Sequence, residues 1–125
     1  MEQTRQIIYY KNHFFDFFEK QTEKVKGKMD QVLFVITVAD RIPKKFFDHM
    51  TGTDGLYEVR IEFGSNIFRV FCCFDERNII VLFNGFQKKT QKTPQSEIDR
   101  ALRIKKEYFV EKLKNNSHEN KRKSK

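Results

Sequence analysis

Two arginines interrupt apolar, strand-like segments in the middle of this chain. Arg60 lies within residues 56–63 and Arg69 within residues 66–75. A cation in the middle of a sheet needs a compensating anion, because an unpaired buried charge is costly. The guanidinium fork matches the geometry of a phosphate with two parallel hydrogen bonds. The two arginines therefore predict a phosphate-binding site, and the phosphate that we expect is one of RNA.

A third apolar segment, residues 78–85, ends in a glycine and runs directly into a basic loop. Lys88, Lys89 and Lys92 lie in or next to this loop, and Phe86 offers an aromatic ring on which a base can stack. Lysines in a loop are usually only solvated. Basic groups interleaved with an aromatic ring, directly after a rigid strand, favour single-stranded nucleic acid as the ligand.

The turns between these segments predict how the strands pair. A two-residue hairpin loop at residues 64–65 places Arg60 opposite Arg69, and closure of the next hairpin at residues 75–78 places Asn84 opposite Arg69. Asn84 thereby joins the predicted RNA-binding face. Like charges directly across a sheet are unfavourable by up to about 1 kcal/mol, and a bound anion would reverse that sign.

A second interpretation needs no ligand. Glu58 and Glu62 lie on the same predicted face as the two arginines and can pair with them diagonally as a structural network. The residues alone leave both interpretations open.

The positive charge is concentrated at the end of the chain. Its 125 residues carry a net charge of +8, with 12 basic and 12 acidic side chains in residues 1–85, 8 and 4 in residues 86–112, and 5 and 1 in residues 113–125. This asymmetry indicates a polyanionic partner. For the last residues we expect a basic, disordered tail.

Composition narrows the class of protein. Hydrophobic residues make up 38% of the chain and no apolar run reaches the length of a membrane span, so we expect a cytoplasmic protein with no membrane partner. The N-terminus lacks the apolar block of a signal peptide. Cys72 and Cys73 are adjacent, so on a strand they point to opposite faces and cannot pair. Neither they nor the histidines have the spacing of metal ligands, and we expect no metal site and no cofactor.

Hydrophobic periodicity predicts the elements that position these side chains. Residues 6–10 are predicted to form a first strand, and residues 44–50 a short helix after Pro43. Residues 96–113 are predicted to form a last helix with acids in its first turn. The helical stripe between the first strand and Pro43 consists of Phe14, Phe18, Val25, Met29, Val32 and Ile36, with Gly27 as a possible break.

These elements predict a small α+β domain at residues 1–112, followed by the tail at residues 113–125. Its sheet is expected to be antiparallel, mixed at one edge, and packed against the N-terminal helices with a C-terminal helix. Alternation predicts one uncharged core face and a second face that mixes apolar and polar groups. The core face is expected to contain Tyr57, Val59, Ile61, Phe63, Phe68, Val70, Cys72, Phe74, Ile79, Val81 and Phe83.

The chain resembles the RelE/ParE toxin superfamily, and most closely the phage-derived HigB-like branch of type II toxin–antitoxin systems. The resemblance covers roughly residues 6–110. It is carried by Gly-Thr-Asp-Gly-Leu-Tyr-Glu-Val-Arg at residues 52–60, Asn-Ile-Phe-Arg-Val-Phe at 66–71, and Gly-Phe-Gln-Lys-Lys-Thr-Gln-Lys-Thr-Pro at 85–94.

This resemblance implies a RelE-like fold and an endoribonuclease, or mRNA interferase, that cuts messenger RNA in the decoding site of the ribosome. It also implies a cognate antitoxin, usually a helix-turn-helix (HigA-like) protein. Carried over by position, the catalytic residues would be Arg60, Arg69, Lys88 and Lys89. Some members use a histidine or tyrosine near the C-terminus as the general base. Tyr108 is available for that role here, and a crowded lysine is the alternative.

Two other functions are compatible with the same residues. A toxin of the same fold can inhibit a protein target such as DNA gyrase, which requires no phosphate cluster. A catalytically inactive module can bind nucleic acid, with a steep salt dependence and no cleavage product.

Overall fold

The computed structural model describes residues 3–123 and contains one five-stranded mixed sheet between two layers of helices. The strands lie in the order β1-β5-β4-β3-β2, with β1 parallel to β5 and the other neighbours antiparallel. This architecture confirms the predicted α+β class with a mixed edge. In chain order the elements are β1 (Gln6–Tyr9), α1 (His13–Phe18), α2 (Glu23–Val38), β2 (Phe47–His49), β3 (Tyr57–Phe63), β4 (Asn66–Asp75), β5 (Ile79–Lys88) and α3 (Gln95–Lys123).

The N-terminal helical stripe divides before Thr22 and not at Gly27. The hydroxyl oxygen of Thr22 accepts a hydrogen bond from the backbone N–H of Val25 at 3.3 Å and so caps the start of α2. Gly27 lies inside α2, where an added Cβ would meet open space. The cap, rather than the glycine, therefore determines where the second helix begins.

The prediction of a short helix at residues 44–50 is wrong. The segment makes a turn and then forms β2, which pairs with β3 at the edge of the sheet. Phe47 stacks on Tyr57 with ring centroids 5.1 Å apart and is buried. This apolar contact between the two strands outweighs the helical preference of a proline-led segment.

Both faces of the sheet are covered, which corrects the prediction of a single core face. Helices α1 and α2 bury Val59, Val70 and Cys72 on one side, while α3 packs over Phe71, Cys73 and their neighbours on the other. The two cysteines are thus buried on opposite faces, as predicted. Burial raises the pKa of Cys73 to about 12, despite the opposing effect of Lys105, and so disfavours its thiolate form.

The faces predicted for β5 are reversed because the turn between β4 and β5 is one residue longer than predicted. Asp75 pairs with Ile79 and not with Asn78, so residues 76–78 form a three-residue turn. A shift of one residue in register exchanges the two faces of the strand. Ile80 and Leu82 therefore lie against α1 and α2, whereas Val81 and Phe83 lie under α3.

Helix α3 crosses the predicted boundary between residues 112 and 113 and continues to Lys123. The segment expected to be a disordered tail is therefore helical within the described residues. The extent of the folded domain stays a prediction.

Candidate functional site

Arg60 and Arg69 lie directly opposite each other on β3 and β4. The hairpin between these strands turns at Gly64, whose φ of +61° is readily adopted by glycine, and Phe63 faces Asn66. The predicted register of this hairpin is confirmed. On the next strand, Arg69 faces Phe86 and not Asn84, because the three-residue turn shifts the register by one residue and a bulge in β5, opposite Phe71, shifts it by one more. Arg60, Arg69 and Phe86 therefore form one row across three strands.

The carboxylate of Glu58 lies between the two arginines. Arg60 Nε donates a hydrogen bond to Glu58 Oε1 at 2.9 Å. Arg69 Nε lies 3.5 Å from Glu58 Oε2, which is within reach of an ion pair, but its orientation makes no hydrogen bond. Arg60 Nη2 also lies 3.5 Å from Asp48 Oδ2. The arginine pair thus has a protein counter-ion, as the network interpretation predicts for Glu58.

The two guanidinium groups differ in their access to solvent. The Arg60 side chain is 31% exposed and that of Arg69 is 9% exposed. Burial lowers the pKa of Arg69, while the Glu58 charge opposes that effect. Arg69 Nη1 donates to the backbone oxygen of Phe68 at 3.1 Å, which fixes one end of the group. Arg60 is the more accessible of the two, and Arg69 is held in place behind it.

The residues at the end of β5 lie in three different environments. Lys88 is half-buried, is the last residue of β5 and pairs with Ile67, while Lys89 and Lys92 are exposed in the loop after this strand. The ring of Phe86 stacks on Phe71 at 5.6 Å and is half-buried. Part of the surface expected to receive a base is therefore covered by the protein itself.

Asn84 is placed differently from the prediction. It is 1% exposed, and its Nδ2 donates to the backbone oxygen of Glu97 at 3.5 Å and to Glu97 Oε2 at 3.4 Å. Its Oδ1 has no partner among the described residues. Asn84 thus anchors the first turn of α3 to β5 and does not face the arginine pair.

A cleft of about 520 Å³ opens beside the arginines. Four cationic side chains line it against one acidic side chain. The lining residues are Lys28, Lys45, Phe46, Arg60, Glu62, Gly64 and Arg69. This cleft extends away from the β5 loop, towards α2 and β2. Its far half, which consists of Lys28, Lys45 and Phe46, was not predicted from the sequence. The net charge of residues 1–85 gave no indication of Lys28 and Lys45, because acidic residues elsewhere in that segment balance them.

Tyr108, the candidate base near the C-terminus, lies away from this cleft. The hydroxyl of Tyr108 donates to Asp75 Oδ2 at 2.5 Å, at the far end of β4. Six residues separate Asp75 from Arg69, which corresponds to about 20 Å along a strand. His49 turns its ring against Tyr57, on the face opposite the arginines. Of the candidate bases, the lysines at the end of β5 therefore have the position closest to the predicted phosphate.

Within residues 3–123, no group of three or more histidine, cysteine, aspartate or glutamate side chains is arranged to hold a metal ion. None of the helices in that part of the chain combines the length and the apolar character needed to cross a membrane.

The model of one protein family, described as "Phage derived protein Gp49-like (DUF891)", matches residues 16–106. The chain belongs to this family. The Gp49-like family is of the RelE/HigB toxin type, so the predicted relationship to toxins of toxin–antitoxin systems is confirmed. The match contains Arg60, Arg69 and the lysines at and after the end of β5, and it ends within α3.

Comparison with curated proteins finds no significant match. Among solved structures, the chain is similar to one in the archaeal RelE-RelB complex from Pyrococcus horikoshii OT3. The two chains share 13% sequence identity with a TM-score of 0.49, and the similarity covers 66% of this chain and 92% of the other.

Proposed function

We propose that this Gp49-like protein is an endoribonuclease that cleaves messenger RNA in the decoding site of the ribosome and so inhibits translation. The observation that carries the proposal is the direct pairing of Arg60 with Arg69 beside a cleft lined by four cations and one acid. Two like charges on adjacent strands favour an anion between them. A phosphate of RNA provides such an anion.

In the proposed reaction, a ribose 2′-oxygen attacks the adjacent phosphorus while the bond from phosphorus to the 5′-oxygen breaks. The products are a 2′,3′-cyclic phosphate and a 5′-hydroxyl end. A base accepts the proton of the 2′-hydroxyl and an acid gives one to the leaving 5′-oxygen. Because the nucleophile belongs to the substrate, this chemistry requires neither a metal-activated water nor a cofactor.

Arg60 and Arg69 have the electrostatic role in this scheme. Their guanidinium groups stabilise the charge that develops on the non-bridging oxygens, and preorganised cations of this kind are commonly the largest catalytic contribution. Glu58 keeps both groups oriented in the free protein. A phosphate would then compete with Glu58 for the exposed side of Arg60.

The lysines at the end of β5 and in the loop that follows have the proton-transfer and binding roles. Lys88 or Lys89 serves as the base, since both lie at the end of the strand that neighbours Arg69. Lys92 and the free part of the Phe86 ring contact the adjoining nucleotides. Asn84 contributes indirectly, because it holds the first turn of α3 against β5.

A toxin of this type acts where ribosomes are, so we place the protein in the cytoplasm. We also propose that a cognate antitoxin, a helix-turn-helix protein, binds it. The support for this partner is the membership of the chain in the Gp49-like family, which is of the RelE/HigB toxin type.

One observation favours a second candidate, a toxin that inhibits a protein target such as DNA gyrase. Glu58 already neutralises part of the arginine pair, and a purely structural ion network requires no phosphate. In that case the cationic cleft would not be a catalytic site.

Induced expression in a bacterial host, with mapping of RNA 5′ ends, tests the proposal. We expect growth arrest and new 5′-hydroxyl ends inside translated frames for the wild type, and neither for Arg60→Gln. Growth arrest without new ends would support the protein-target candidate. Soluble protein without arrest would contradict both toxin activities.

A further inference from the structure

The far half of the cleft is built around the ring of Phe46. Lys28 Nζ lies 5.9 Å and Lys45 Nζ 4.9 Å from the centroid of this ring. The backbone oxygen of Phe46 accepts a hydrogen bond from the backbone N–H of Arg60 at 2.8 Å. The ring beside which both ammonium groups lie is thereby attached to β3, the strand that carries the more accessible arginine.

The two lysines of this cluster lack the ion pairs that neutralise other lysines of the chain. Among the side chains that the structure describes, neither Lys28 nor Lys45 forms an ion pair. Lys26, on the same helix as Lys28, lies within 3.5 Å of both Glu19 and Glu23. Within the described residues, the charges of these two lysines are therefore not balanced by a neighbouring carboxylate.

The positions of the cations define a track across the sheet. Lys88 on β5, Arg69 on β4 and Arg60 on β3 lie on adjacent strands, and Lys45 lies just before β2. Neighbouring strands are about 4.8 Å apart, so the track crosses the strands over a distance of roughly 10 Å or more. A ligand with several phosphates in sequence fits such a track better than a single anion does.

We propose that Lys28, Lys45 and Phe46 form a second nucleotide subsite, which binds the phosphate and base next to the phosphate held by the arginines. This inference rests on the proposed function and specifies its substrate as single-stranded RNA that crosses β3 and β4 towards α2. The base stacks on Phe46. A base that stacks on a side chain must be free of base pairing and of its own stack, so the RNA must be single-stranded here. Stacking of a base is worth more than an exposed cation–π contact, so the lysines move from the ring to the phosphate.

The test is the binding of a fluorescein-labelled, 2′-O-methylated RNA octamer, measured by fluorescence anisotropy over a series of low salt concentrations. Methylation blocks the attacking oxygen, so binding is separated from cleavage. We expect Lys45→Ala, and likewise Lys28→Ala, to reduce the slope of log affinity against log salt by about 0.7, the value for one lost contact to a single strand. Phe46→Leu should weaken binding by at least about fivefold with no change in slope, because it removes the stacking surface but no charge.

Matched lysines of the same elements provide the controls. Lys44 precedes Lys45 and is exposed, and Lys24 is exposed one turn before Lys28 on α2. We expect Lys44→Ala and Lys24→Ala to leave the salt slope within about 0.2 of the wild type, since neither lines the cleft. Thermal unfolding of each variant shows that it is folded.

The subsite is overturned if Lys28→Ala and Lys45→Ala behave as their controls do while Arg60→Gln weakens binding. That result would leave the arginine site and the proposed function intact. If the wild-type protein shows no salt-dependent binding at all, both the subsite and the proposed RNA site are contradicted.

Discussion

The guanidinium of Arg60 and the carboxylate of Glu58 are joined by a 2.9 Å hydrogen bond, two residues apart on one strand. Residues i and i+2 of a strand point to the same face, so the pair lies side by side beside Arg69. The bond explains how two arginines can face each other in the free protein. It also means that any phosphate at this site must compete with a carboxylate that is already present.

Replacement of that carboxylate should strengthen anion binding. Glu58→Gln keeps an oxygen that can accept from Arg60 but removes the competing charge, so we expect RNA affinity to rise about fivefold, which corresponds to about 1 kcal/mol. Anisotropy with the methylated octamer measures the change. Unchanged affinity together with lower stability would instead indicate a purely structural network.

Tyr108 should have a structural role. Its hydroxyl donates to the buried Asp75, so Tyr108→Phe removes a charge-assisted hydrogen bond and should lower the free energy of unfolding by about 1.5–3 kcal/mol. Chemical denaturation measures this loss, and RNA cleavage should be retained. A stable variant that no longer cleaves would make Tyr108 the base after all.

The ion network around Asp75 should make the fold sensitive to acid. Burial alone would raise the pKa of Asp75, but the hydrogen bonds from Lys112 and Tyr108 outweigh it and hold this pKa below its ordinary value of 3.8. The folded carboxyl therefore binds its proton at lower pH than the unfolded one does. Its stabilisation is complete above pH 3.8 and is lost as the pH falls through the folded pKa.

Denaturation of wild type and Asp75→Asn between about pH 7 and pH 2.5 tests this dependence. We expect the wild type to be more stable at neutral pH by about 1.5–3 kcal/mol, and the difference to shrink below the ordinary carboxyl pKa. A difference that stays constant over the whole range would contradict the assignment.

Two glycines should respond oppositely to the same substitution. At Gly85 an added Cβ would lie 2.8 Å from Cγ and Cε2 of the buried Phe17 ring, so Gly85→Ala should destabilise the fold by about 1–3 kcal/mol. At Gly27 the Cβ meets open space on a helix, so Gly27→Ala should stabilise it by about 0.5–1 kcal/mol. Thermal unfolding compares the two, and equal effects would contradict the close approach of β5 to α1.

The part of the site that is set by local rules was predictable. A two-residue turn determines a hairpin register, so Arg60 and Arg69 are placed opposite each other by sequence alone. Hairpin loops of two and of three residues are both common, and the bulge in β5 has no local signal, so the predicted pairing of Arg69 with Asn84 was wrong.

The far half of the cleft depends on tertiary structure. Lys28 and Phe46 are 18 positions apart and meet only because α2 packs beside the edge of the sheet, where residues 47–49 form β2 and not a helix. The adjacent basic and aromatic residues Lys44, Lys45 and Phe46 were the one available sequence signal. The burial of Asn84 could not be predicted from the sequence for the same reason, because its side chain is covered only when α3 packs on the sheet.

The most direct test of the central claim is cleavage in a reconstituted system. Purified ribosomes carrying a defined messenger RNA, with the decoding site vacant, are incubated with wild type, Arg69→Gln or the control Arg77→Gln, whose arginine is exposed in the β4–β5 turn. Primer extension measures the rate at which 5′-hydroxyl ends appear in that codon. Our account predicts cleavage by wild type and Arg77→Gln, and a rate at least about 100-fold lower for folded Arg69→Gln. Cleavage by Arg69→Gln at the wild-type rate, or no cleavage by the wild type, would contradict it.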